Sequence, residues 1–460
     1  MASMGHYMEL QNRSVVVVGL GRSGTATARF LARRGARVTV TDRAPADSLK
    51  ASADALAGLG IRFNLGRHDA RDIERADLVV LSPGVPHTLP MLEPAWAHGT
   101  PVIGEMELAA GFIDEPIIAV TGTNGKTTTT QLVGNMLENS GRTAFMGGNI
   151  GTPLIAYADG AHARADVVVA EVSSFQLDTI IEFRPDTAVM LNITDDHLDR
   201  YASFAAYAAS KWRLFENQHP GDAAVINAMD RAVAAMIKQR PPRARRKLFS
   251  DEAVYDGAHI IKDKILLFDG GRECGSFSLN RSALIGAHNR ENLAAACLAA
   301  REQGATTAGI QQAIDAFKGL AHRLETVGVV RGVRFVNDSK ATNVDAVIRA
   351  LACFDAPVVL IMGGQNKKGD FTLLKPRVQR HVKTLVAMGE ARDEIVTALA
   401  GDPQQGILEA ASMAEAVHKA FGAAAEGETV LLSPACASFD MFDNYVQRGN
   451  RFREIVEGLG

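Results

Sequence analysis

The sequence predicts an α/β protein of three domains, and three observations lead to this prediction. The chain has 460 residues, which is more than one hydrophobic core organises, because single domains rarely exceed about 250–300 residues. Apolar runs of strand length alternate with segments of helical spacing in three stretches, a pattern that produces mostly parallel sheets covered by helices. No repeat with a period of about 20–50 residues is present, which excludes a solenoid. We place the domains at residues 1–105, 106–320 and 321–460.

The composition is that of a soluble globular protein, with 47% apolar and 22% charged residues. A net charge of −3 gives no general attraction to nucleic acid or anionic membrane. The basic run at 240–247 lacks interleaved aromatic residues, which favours a solvated loop over RNA or DNA binding. The four cysteines have no CxxC spacing and are typical of reduced thiols. With no apolar run of membrane-span length and no signal-peptide pattern, we predict a cytoplasmic protein. We also expect a monomer, although no sequence feature decides the oligomeric state.

The first domain is predicted to be Rossmann-like. Its strands and first helix are expected at residues 15–18, 24–34, 38–41 and 78–81. Gly19, Gly21 and Gly24 form the GxGxxG turn of a dinucleotide site, and Asp42 ends the second strand, where such sites contact a ribose hydroxyl. The motif favours a nucleotide of some kind without deciding which one. Close packing of helix on strand is the alternative explanation of the glycines.

The second domain is predicted to have a P-loop-type, ATPase-like fold around the motif TGTNGKTT at 121–128. The motif follows an apolar strand at 116–120 and opens a helix at 126–139. Loop amides and the positive end of the helix dipole bind phosphate, Lys126 adds a charge, and the Thr127 hydroxyl reaches a magnesium ion. The general spacing would place a glycine at position 120, where this chain has a strand valine. A helix N-cap without a ligand is the alternative.

Two later strands of this domain, at 167–172 and 187–193, end in polar residues. Because ligands of open α/β sheets bind at the carboxyl edge, we expect Glu171 and His197 beside the phosphate loop, as parts of a metal site. Taken singly, each residue is better explained without a metal, Glu171 as a strand-end cap and His197 as a buried histidine. A helix at 204–218 carries Lys211, and a region of mixed pattern runs to about 282.

A helix beginning near His288 carries Asn289 and Asn292 on one face, which suits the edge of a purine or a helix-capping pair. The third domain is predicted to be a Rossmann-like, doubly wound sheet. Its strands and first helix are expected at 333–336, 344–351, 358–362, 385–388 and 430–432. Its polar residues collect after the strand ends, at 337–342, 363–364, 389–390 and 433–438.

Taken together, these motifs resemble the Mur ligases, ATP-dependent enzymes that build the peptide of bacterial cell-wall precursors. The resemblance is carried by TGTNGKTT at 121–128, GNIG at 148–151, EVSSFQ at 171–176, Asp196-His197, HNREN at 288–292 and His322-Arg323. Within the family, NDSKATN at 337–343 and SPACASFDMF at 433–442 are similar to the branch that adds D-glutamate to UDP-N-acetylmuramoyl-L-alanine. The resemblance therefore implies peptidoglycan synthesis with these two small-molecule substrates, and ATP and Mg²⁺ as cofactors.

The resemblance also implies roles for individual residues. UDP, not NAD, would lie near Arg22, Ser23, Asp42 and Arg43. ATP would be held by Gly122, Thr123, Asn124, Gly125, Lys126, Thr127, Thr128, Asn289 and Asn292, with Arg323 on the phosphates and Asp338 on the ribose. Thr127 and Glu171 would hold one magnesium ion, and His197 and Lys211 a second, with Lys211 carbamylated. Catalysis would rest on Lys126, Glu171, His197, Lys211, Arg323 and Lys340, the last on the transferring group.

The substrate residues implied by the resemblance form two sets. D-glutamate would contact Thr342, Lys367, Ser438 and Tyr445, and the muramoyl substrate Asn149 and Ser173. Gln365 and Tyr445 stand where some relatives have aspartate and phenylalanine. ATP activates the L-alanyl carboxylate as an acyl phosphate, and attack by the D-glutamate amine gives a tetrahedral intermediate. Enclosing these substrates predicts that the third domain closes on the second.

Three other interpretations remain open at this point. An NAD-dependent oxidoreductase would use the GxGxxG turn but leaves TGTNGKTT, Glu171 and His197 unexplained. A nucleotide-dependent switch would use the phosphate loop without ligase chemistry. Another Mur ligase or a folylpolyglutamate synthase would share the chemistry and join a different amino acid.

Overall fold

The computed structural model describes residues 9–198, 200–400 and 406–460, and it confirms the predicted α/β architecture. The described residues form three sheets of five, nine and six strands. They also form two compact units. The first unit runs to Asn192 and adds Ala208–Asn280 and Leu293–Ile314; the second comprises Ile193–Tyr207, Arg281–Asn292 and Asp315–Gly460. In the described ranges, each helix is too short or too polar to cross a bilayer.

The five-stranded sheet is parallel throughout, in the order β3-β2-β1-β4-β5. Its central strands are buried because their β-branched runs are covered on both faces. The strands are β1 (Ser14–Val18), β2 (Arg37–Asp42), β3 (Arg62–Leu65), β4 (Leu78–Leu81) and β5 (Val102–Gly104). The helices are α1 (Arg22–Arg33), α2 (Ala46–Asp54), α3 (Ala70–Glu74), α4 (Glu93–Ala97) and α5 (Glu105–Ala110), with a 3₁₀ turn at Pro90–Leu92. The order is that of a Rossmann-like half, as the sequence predicts.

The nine-stranded sheet is parallel over seven strands and ends in two antiparallel ones, in the order β14-β13-β12-β11-β10-β9-β6-β8-β7. Its strands are β6 (Ile117–Thr121), β7 (Ala144–Gly148), β8 (Val167–Glu171), β9 (Thr187–Met190), β10 (Ala223–Asn227), β11 (Arg245–Ser250), β12 (Gly257–Ile261), β13 (Lys264–Asp269) and β14 (Arg272–Ser278). Its helices are α6 (Lys126–Glu138), α7 (Leu154–Ala158), α8 (Ser174–Leu177), α9 (Phe204–Trp212), α10 (Arg231–Gln239), α11 (Ala287–Glu302) and α12 (Thr307–Ala316), with a 3₁₀ turn at Arg213–Phe215.

Three details of this region differ from the prediction. Five strands lie in what the sequence shows only as a mixed pattern, because several of them carry charged residues along an exposed face. The prediction of a loop at 240–247 is wrong for residues 245–247, which belong to β11. Lys247 is buried and forms a salt bridge with Asp269, with Nζ and Oδ1 2.6 Å apart. The helix predicted at 204–218 ends at Trp212 and continues as a 3₁₀ turn.

The six-stranded sheet has the order β15-β16-β20-β17-β18-β19 and is parallel except for β15. Its strands are β15 (Glu325–Val330), β16 (Val333–Asn337), β17 (Val358–Gly363), β18 (Val382–Met388), β19 (Gly406–Ala410) and β20 (Thr429–Leu432). Its helices are α13 (Val344–Leu351), α14 (Lys375–His381), α15 (Arg392–Leu399), α16 (Met413–Ala423) and α17 (Tyr445–Glu457), with a 3₁₀ turn at Phe371–Leu374. Alternate residues of β17 enter two different hydrophobic clusters, so both faces of the sheet are covered, as in a doubly wound fold.

Candidate functional site

The GxGxxG turn of the first sheet is fixed by the side chain of Asp42. One Asp42 oxygen accepts the Leu20 amide at 2.7 Å, and the other accepts the Ala44 amide at 2.9 Å. Gly19 has φ of 96°, and a Cβ at Gly24 would overlap the Gly19 carbonyl oxygen. Close packing therefore accounts for the third glycine without excluding a nucleotide.

The other predicted residues of this edge lie around the same turn. Arg22 and Ser23 open α1, which follows β1 directly. The N-cap of this helix makes no side-chain hydrogen bond, so the first backbone amides have no side-chain acceptor from the cap. Arg43 is exposed directly after β2. Two arginines and an uncapped helix N-terminus at one sheet edge form a suitable environment for a phosphate group.

The TGTNGKTT loop lies between β6 and α6, as predicted. Gly122 and Gly125 have φ of 154° and 88°, which disfavours any residue with a Cβ. Lys126 Nζ donates to the carbonyl oxygens of Gly122 and Thr123 at 2.9 and 2.8 Å. The lysine is thus folded over its own loop. Thr127 and Thr128 follow in the first turn of α6, Thr128 being buried.

Asn192 holds the phosphate loop from the neighbouring strand end. Its side-chain oxygen accepts the Asn124 amide at 2.8 Å, its side-chain nitrogen donates to the Asn124 carbonyl at 3.0 Å, and its own carbonyl accepts the Thr123 amide at 2.9 Å. Asn192 was not predicted as a site residue, because the apolar pattern extends the strand to residue 193. The strand ends at Met190, which makes Asn192 a loop residue.

Glu171 ends β8 beside β6 and is only 2% exposed. One of its oxygens accepts the Asn149 side-chain nitrogen at 2.9 Å. The other oxygen is buried and has no hydrogen-bond partner among the described residues. A buried carboxylate oxygen without a donor is costly, and a bound cation would satisfy it.

Ser173 caps α8 in a capping box with Gln176. The Gln176 amide donates to Ser173 Oγ at 3.3 Å, and the Ser173 amide donates to Gln176 Oε1 at 3.0 Å. The cap explains the local geometry of Ser173 and leaves its predicted contact with the muramoyl substrate a prediction.

Lys211 is 2% exposed, so it is not an ordinary surface lysine. Its Nζ donates to the Gly122 carbonyl at 2.9 Å, the same oxygen that Lys126 contacts. Two lysines that the sequence places 85 positions apart therefore reach one turn of the phosphate loop.

His197 belongs to the second unit and is partly exposed, with φ of 55°. Its backbone amide donates to Asp196 Oδ1 at 2.9 Å, and that oxygen also accepts Lys367 Nζ at 2.8 Å. Asn343 donates to the other Asp196 oxygen at 3.1 Å. Burial would raise the pKa of Asp196, but the charges of Lys367 and His197 and the hydrogen bonds lower it to about 2.

Asn289 and Asn292 lie on one face of α11, as predicted, and both are buried. The Asn292 side-chain nitrogen donates to Asn289 Oδ1 at 3.2 Å, and the Asn289 side-chain nitrogen donates to the Ile285 carbonyl at 2.8 Å. The pair is thus held in a fixed orientation by local bonds.

Arg323 stands between two residues with left-handed backbone, His322 and Leu324, with φ of 63° and 46°. The Leu324 amide donates to Asp338 Oδ1 at 3.2 Å, and the Ser433 hydroxyl donates to Asp338 Oδ2 at 2.9 Å. Burial raises the pKa of Asp338 to about 7 against the effect of these bonds. Arg323 and Asp338 are therefore brought together at one edge of the six-stranded sheet.

Lys340 and Tyr445 lie at the same edge, with Lys340 Nζ 3.8 Å from the centre of the Tyr445 ring. Ser438 is buried in the loop after β20. Gln365, after β17, pairs through its backbone with Ala437 in that loop, and its side chain reaches Glu390 at 3.3 Å.

Thr342 and Lys367 line one cavity of about 220 Å³ within the second unit, together with Asp196 and Asn343. Ser438 and Tyr445 do not line this cavity. The structure therefore divides the four residues predicted for D-glutamate into two pairs at the sheet edge.

The predicted magnesium ligands are of mixed type. Among residues 9–198, 200–400 and 406–460, no three His, Cys, Asp or Glu side chains are grouped so that they could hold a metal ion. The predicted set has only Glu171 and His197 of those types and completes its ligands with Thr127 and Lys211. Thr127, Glu171 and Lys211 lie in the first unit.

Solved structures of similar fold share the α/β architecture of this chain. The chain resembles a pseudomurein peptide ligase type C from Methanothermus fervidus, with a TM-score of 0.62 and 21% identity over 98% of this chain and 100% of that one. It also resembles UDP-N-acetylmuramate-alanine ligase from Thermotoga maritima, with a TM-score of 0.60 and 19% identity over 98% and 100% of the two chains. At these identities the likeness establishes the fold.

Sequence relatives establish the family. Domain families match at residues 13–104 (Mur ligase MurD-like, N-terminal domain), 120–300 (Mur ligase middle domain) and 322–436 (Mur ligase, glutamate ligase domain). UDP-N-acetylmuramoylalanine–D-glutamate ligase of Desulfosudis oleivorans is 49% identical over 98% of both chains. The enzyme of the same name from Desulfatibacillum aliphaticivorans is 49% identical over 98% of this chain and 100% of its own. The chain belongs to the Mur ligase family.

Proposed function

We propose that this chain is the ATP-dependent ligase that joins D-glutamate to UDP-N-acetylmuramoyl-L-alanine in the synthesis of peptidoglycan precursors. The observation that carries the proposal is the 49% identity, over nearly the whole length, to two relatives that bear the name of this activity. The phosphate loop, the buried Glu171 and the polar edge of the six-stranded sheet supply the types of group that the reaction needs.

The work is divided among the three predicted domains. Residues 1–105 bind the UDP end of the acceptor around Arg22, Ser23, Asp42 and Arg43. Residues 106–320 bind ATP, and residues 321–460 bring the amino acid and close the site. The uncapped N-terminus of α1 and the two arginines beside it fit the phosphates of a nucleoside diphosphate.

Bound ATP supplies the phosphoryl group that activates the L-alanyl carboxylate, and the reaction passes through an acyl phosphate and a tetrahedral intermediate. Lys126 neutralises the charge of the γ-phosphate, and Arg323 binds the phosphates as well. Asn289 and Asn292 present amide groups to adenine, and Asp338 accepts a ribose hydroxyl. Lys340 stabilises the transferring group.

Magnesium fits the first unit because Glu171 has a buried oxygen without a partner. Hard oxygen ligands suit this ion, and we assign Thr127 and Glu171 to one ion, with Asn149 orienting the carboxylate. We assign His197 and Lys211 to a second. Bound magnesium would offset the negative charge that builds up on the phosphoryl oxygens.

Carbamylation of Lys211 is supported by its burial. Taking a lysine out of water favours its uncharged amine, and that amine reacts with carbon dioxide to give an anionic carbamate suited to a cation. NMR of the protein in ¹³C-bicarbonate tests this, because a carbamate carbonyl signal should appear in the native protein and be missing from Lys211→Met. Identical spectra would remove Lys211 from the metal site.

D-glutamate binds through Thr342, Lys367, Ser438 and Tyr445, and the muramoyl part of the acceptor contacts Asn149 and Ser173. Lys367 already holds a carboxylate, that of Asp196, at 2.8 Å. The same ammonium group is therefore able to bind a carboxylate of the amino-acid substrate.

We further expect a cytoplasmic monomer whose third domain closes on the second when substrates bind. Small-angle scattering of the protein with and without ATP and acceptor tests the closure. Identical small-angle scattering curves under both conditions would contradict the closure. A molar mass of a dimer in light scattering would contradict the monomer.

One experiment tests the function directly. Phosphate release from ATP is measured with UDP-N-acetylmuramoyl-L-alanine and a panel of D- and L-amino acids. We expect turnover that requires both the acceptor and D-glutamate. Turnover confined to L-glutamate or L-lysine would assign the chain to a different ligase specificity, and phosphate release without an amino acid would indicate a nucleotide switch.

A further inference from the structure

Arg448 is a buried arginine that forms no salt bridge with an acidic side chain of the described residues. It lies in the first turns of α17 and is 1% exposed. All three of its nitrogens are used, Nε by Ser339 Oγ at 3.0 Å, Nη2 by the carbonyls of Ser339 and Cys436 at 2.8 and 3.1 Å, and Nη1 by those of Ala437 and Gly363 at 3.2 and 3.4 Å. Its hydrogen bonds therefore go to one hydroxyl and four backbone oxygens.

The acceptors belong to three separate loops at the carboxyl edge of the six-stranded sheet. Ser339 follows β16, Gly363 ends β17, and Cys436 and Ala437 follow β20. No other contact described above joins all three. One guanidinium group thus fixes the spacing of loops that come from different strands.

Each of these loops carries a residue with an assigned role, Lys340 on the transferring group and Lys367 and Ser438 on D-glutamate. Lys340 follows Ser339, Lys367 follows Gly363 by four positions, and Ser438 follows Ala437. Ser339 Oγ also donates to the Tyr445 carbonyl at 2.8 Å, on the helix that bears Arg448. A displacement of Arg448 would consequently move all of these groups together.

Packing of the hydrophobic core alone does not explain a charged residue at this position. Burial opposes the guanidinium charge and lowers the pKa of Arg448 to about 10, so the group remains charged at neutral pH. An apolar residue of similar volume would avoid this cost of desolvation. Only the planar fork of arginine, with five donors, reaches acceptors in three directions, whereas lysine has one donor atom.

We propose that Arg448 is a positioning residue that sets the relative placement of the three loops bearing Lys340, Lys367 and Ser438, without touching a substrate. This inference rests on the proposed function, since it concerns the site at which D-glutamate is joined. Specificity for the amino acid then depends on the buried Arg448 as well as on the residues that line the site.

The test compares Arg448→Lys with Arg451→Lys, a control on the exposed side of the same helix whose partner is Glu454. For Arg448→Lys, we expect the KM for D-glutamate to rise and kcat to fall by roughly 10-fold or more each, because small displacements of reacting groups are costly. The Kd of the UDP-linked acceptor should change little, whereas the melting temperature should fall, because lysine leaves several of the buried acceptors unpaired. Arg451→Lys should match the wild type in every parameter.

Ser339→Ala is the second variant, and it removes one acceptor of Arg448 together with the hydrogen bond to the Tyr445 carbonyl. We expect the KM for D-glutamate to rise roughly threefold to tenfold, and the double variant to be less impaired than the product of the two single effects. If Arg448→Lys does not fold, Ser339→Ala decides alone.

The inference is overturned if folded Arg448→Lys keeps both kinetic parameters within about twofold of the wild type. It is also overturned if acceptor binding weakens as much as D-glutamate binding, or if Ser339→Ala leaves the KM for D-glutamate unchanged. Wild-type protein that forms no product with D-glutamate would instead refute the proposed function, so the two failures are distinguishable.

Discussion

Replacing Glu171 with glutamine isolates its charge. The side chain keeps its shape, and its remaining oxygen can still accept the Asn149 hydrogen bond that measures 2.9 Å in the native protein. What is lost is the negative charge on the second, unpartnered oxygen. If that oxygen is a magnesium ligand, Glu171→Gln removes a ligand while leaving its surroundings intact.

Glu171→Gln and Asn149→Ala should weaken magnesium binding by different amounts. Asn149→Ala removes only the group that orients Glu171, and such losses weaken a metal site by about 10–100-fold. Loss of the charged ligand itself should exceed that range, so we expect Glu171→Gln to raise the magnesium concentration for half-maximal turnover by more than roughly 100-fold. Without metal, the variant should be at least as stable as the wild type, because an unpaired buried amide costs less free energy than an unpaired buried carboxylate.

The assay is ATP turnover against magnesium concentration at saturating substrates. A second readout is the rise in melting temperature that magnesium and a non-hydrolysable ATP analogue produce together. Glu171→Gln should lose this rise, and Asn149→Ala should keep part of it. A wild-type magnesium requirement in Glu171→Gln would refute the assignment, as would a stronger effect of Asn149→Ala than of Glu171→Gln.

The remaining predictions follow from single contacts. Lys126→Ala should abolish turnover while calorimetry still detects the UDP-linked acceptor, and loss of acceptor binding would mean that the two nucleotide sites are assigned wrongly. Tyr445→Phe should keep kcat, because Lys340 Nζ lies 3.8 Å from the centre of the ring, which phenylalanine retains. Tyr445→Leu should lower kcat about 2–30-fold, which corresponds to the free energy of a cation–π contact. Equal kcat values for the two variants would contradict a role for this contact. Burial raises the pKa of Glu105 to about 7. The Glu105 carboxyl group therefore loses its proton at a lower pH in the unfolded chain than in the folded chain. As the pH rises from about 4.5 to about 7, the free energy of unfolding should fall by at most roughly 3 kcal/mol. Denaturant titrations over this range should show a smaller loss of stability in Glu105→Gln than in the wild type, because Asp338, whose pKa burial also raises, titrates in both proteins.

Most of the fold could be predicted from the sequence because strands buried on both faces appear as uninterrupted apolar runs. The strand at 78–81 and the helix at 344–351 are predicted with the bounds that the structure gives them. Edge strands were not predicted, and β14 shows why. Its residues are mostly exposed and include Arg272 and Glu273, so no hydrophobic period distinguishes it from a loop.

Burial of polar residues was less predictable, and Lys211 is the clearest case. Sequence alone favours an exposed lysine, yet the side chain is 2% exposed. A signal was present, since Lys211 follows Tyr207 and Ala208 by four and three positions on the same helix face, and both are buried. Arg448 gave no comparable signal, because its acceptors are backbone carbonyls, which every residue possesses.

The phosphate loop shows how a departure from a general motif is compensated by neighbours. Position 120, where the general spacing has glycine, is occupied by Val120, which is buried in β6 and paired with Val189 and Glu171 on the adjacent strands. The loop is consequently short, and its own glycines do not fix it alone. Asn192 binds both the amide and the carbonyl of Asn124, while Lys211 reaches the Gly122 carbonyl.

These contacts have a consequence for the chemistry. A loop fixed from two neighbouring elements presents its amides in one arrangement before any ligand arrives, which lowers the cost of ordering it around a phosphate. Lys126 is held in the same way by the carbonyls of Gly122 and Thr123, so it must exchange these bonds for phosphate oxygens when ATP binds. The departure from the general spacing therefore changes how the loop is held in place and is compatible with its role in binding a γ-phosphate.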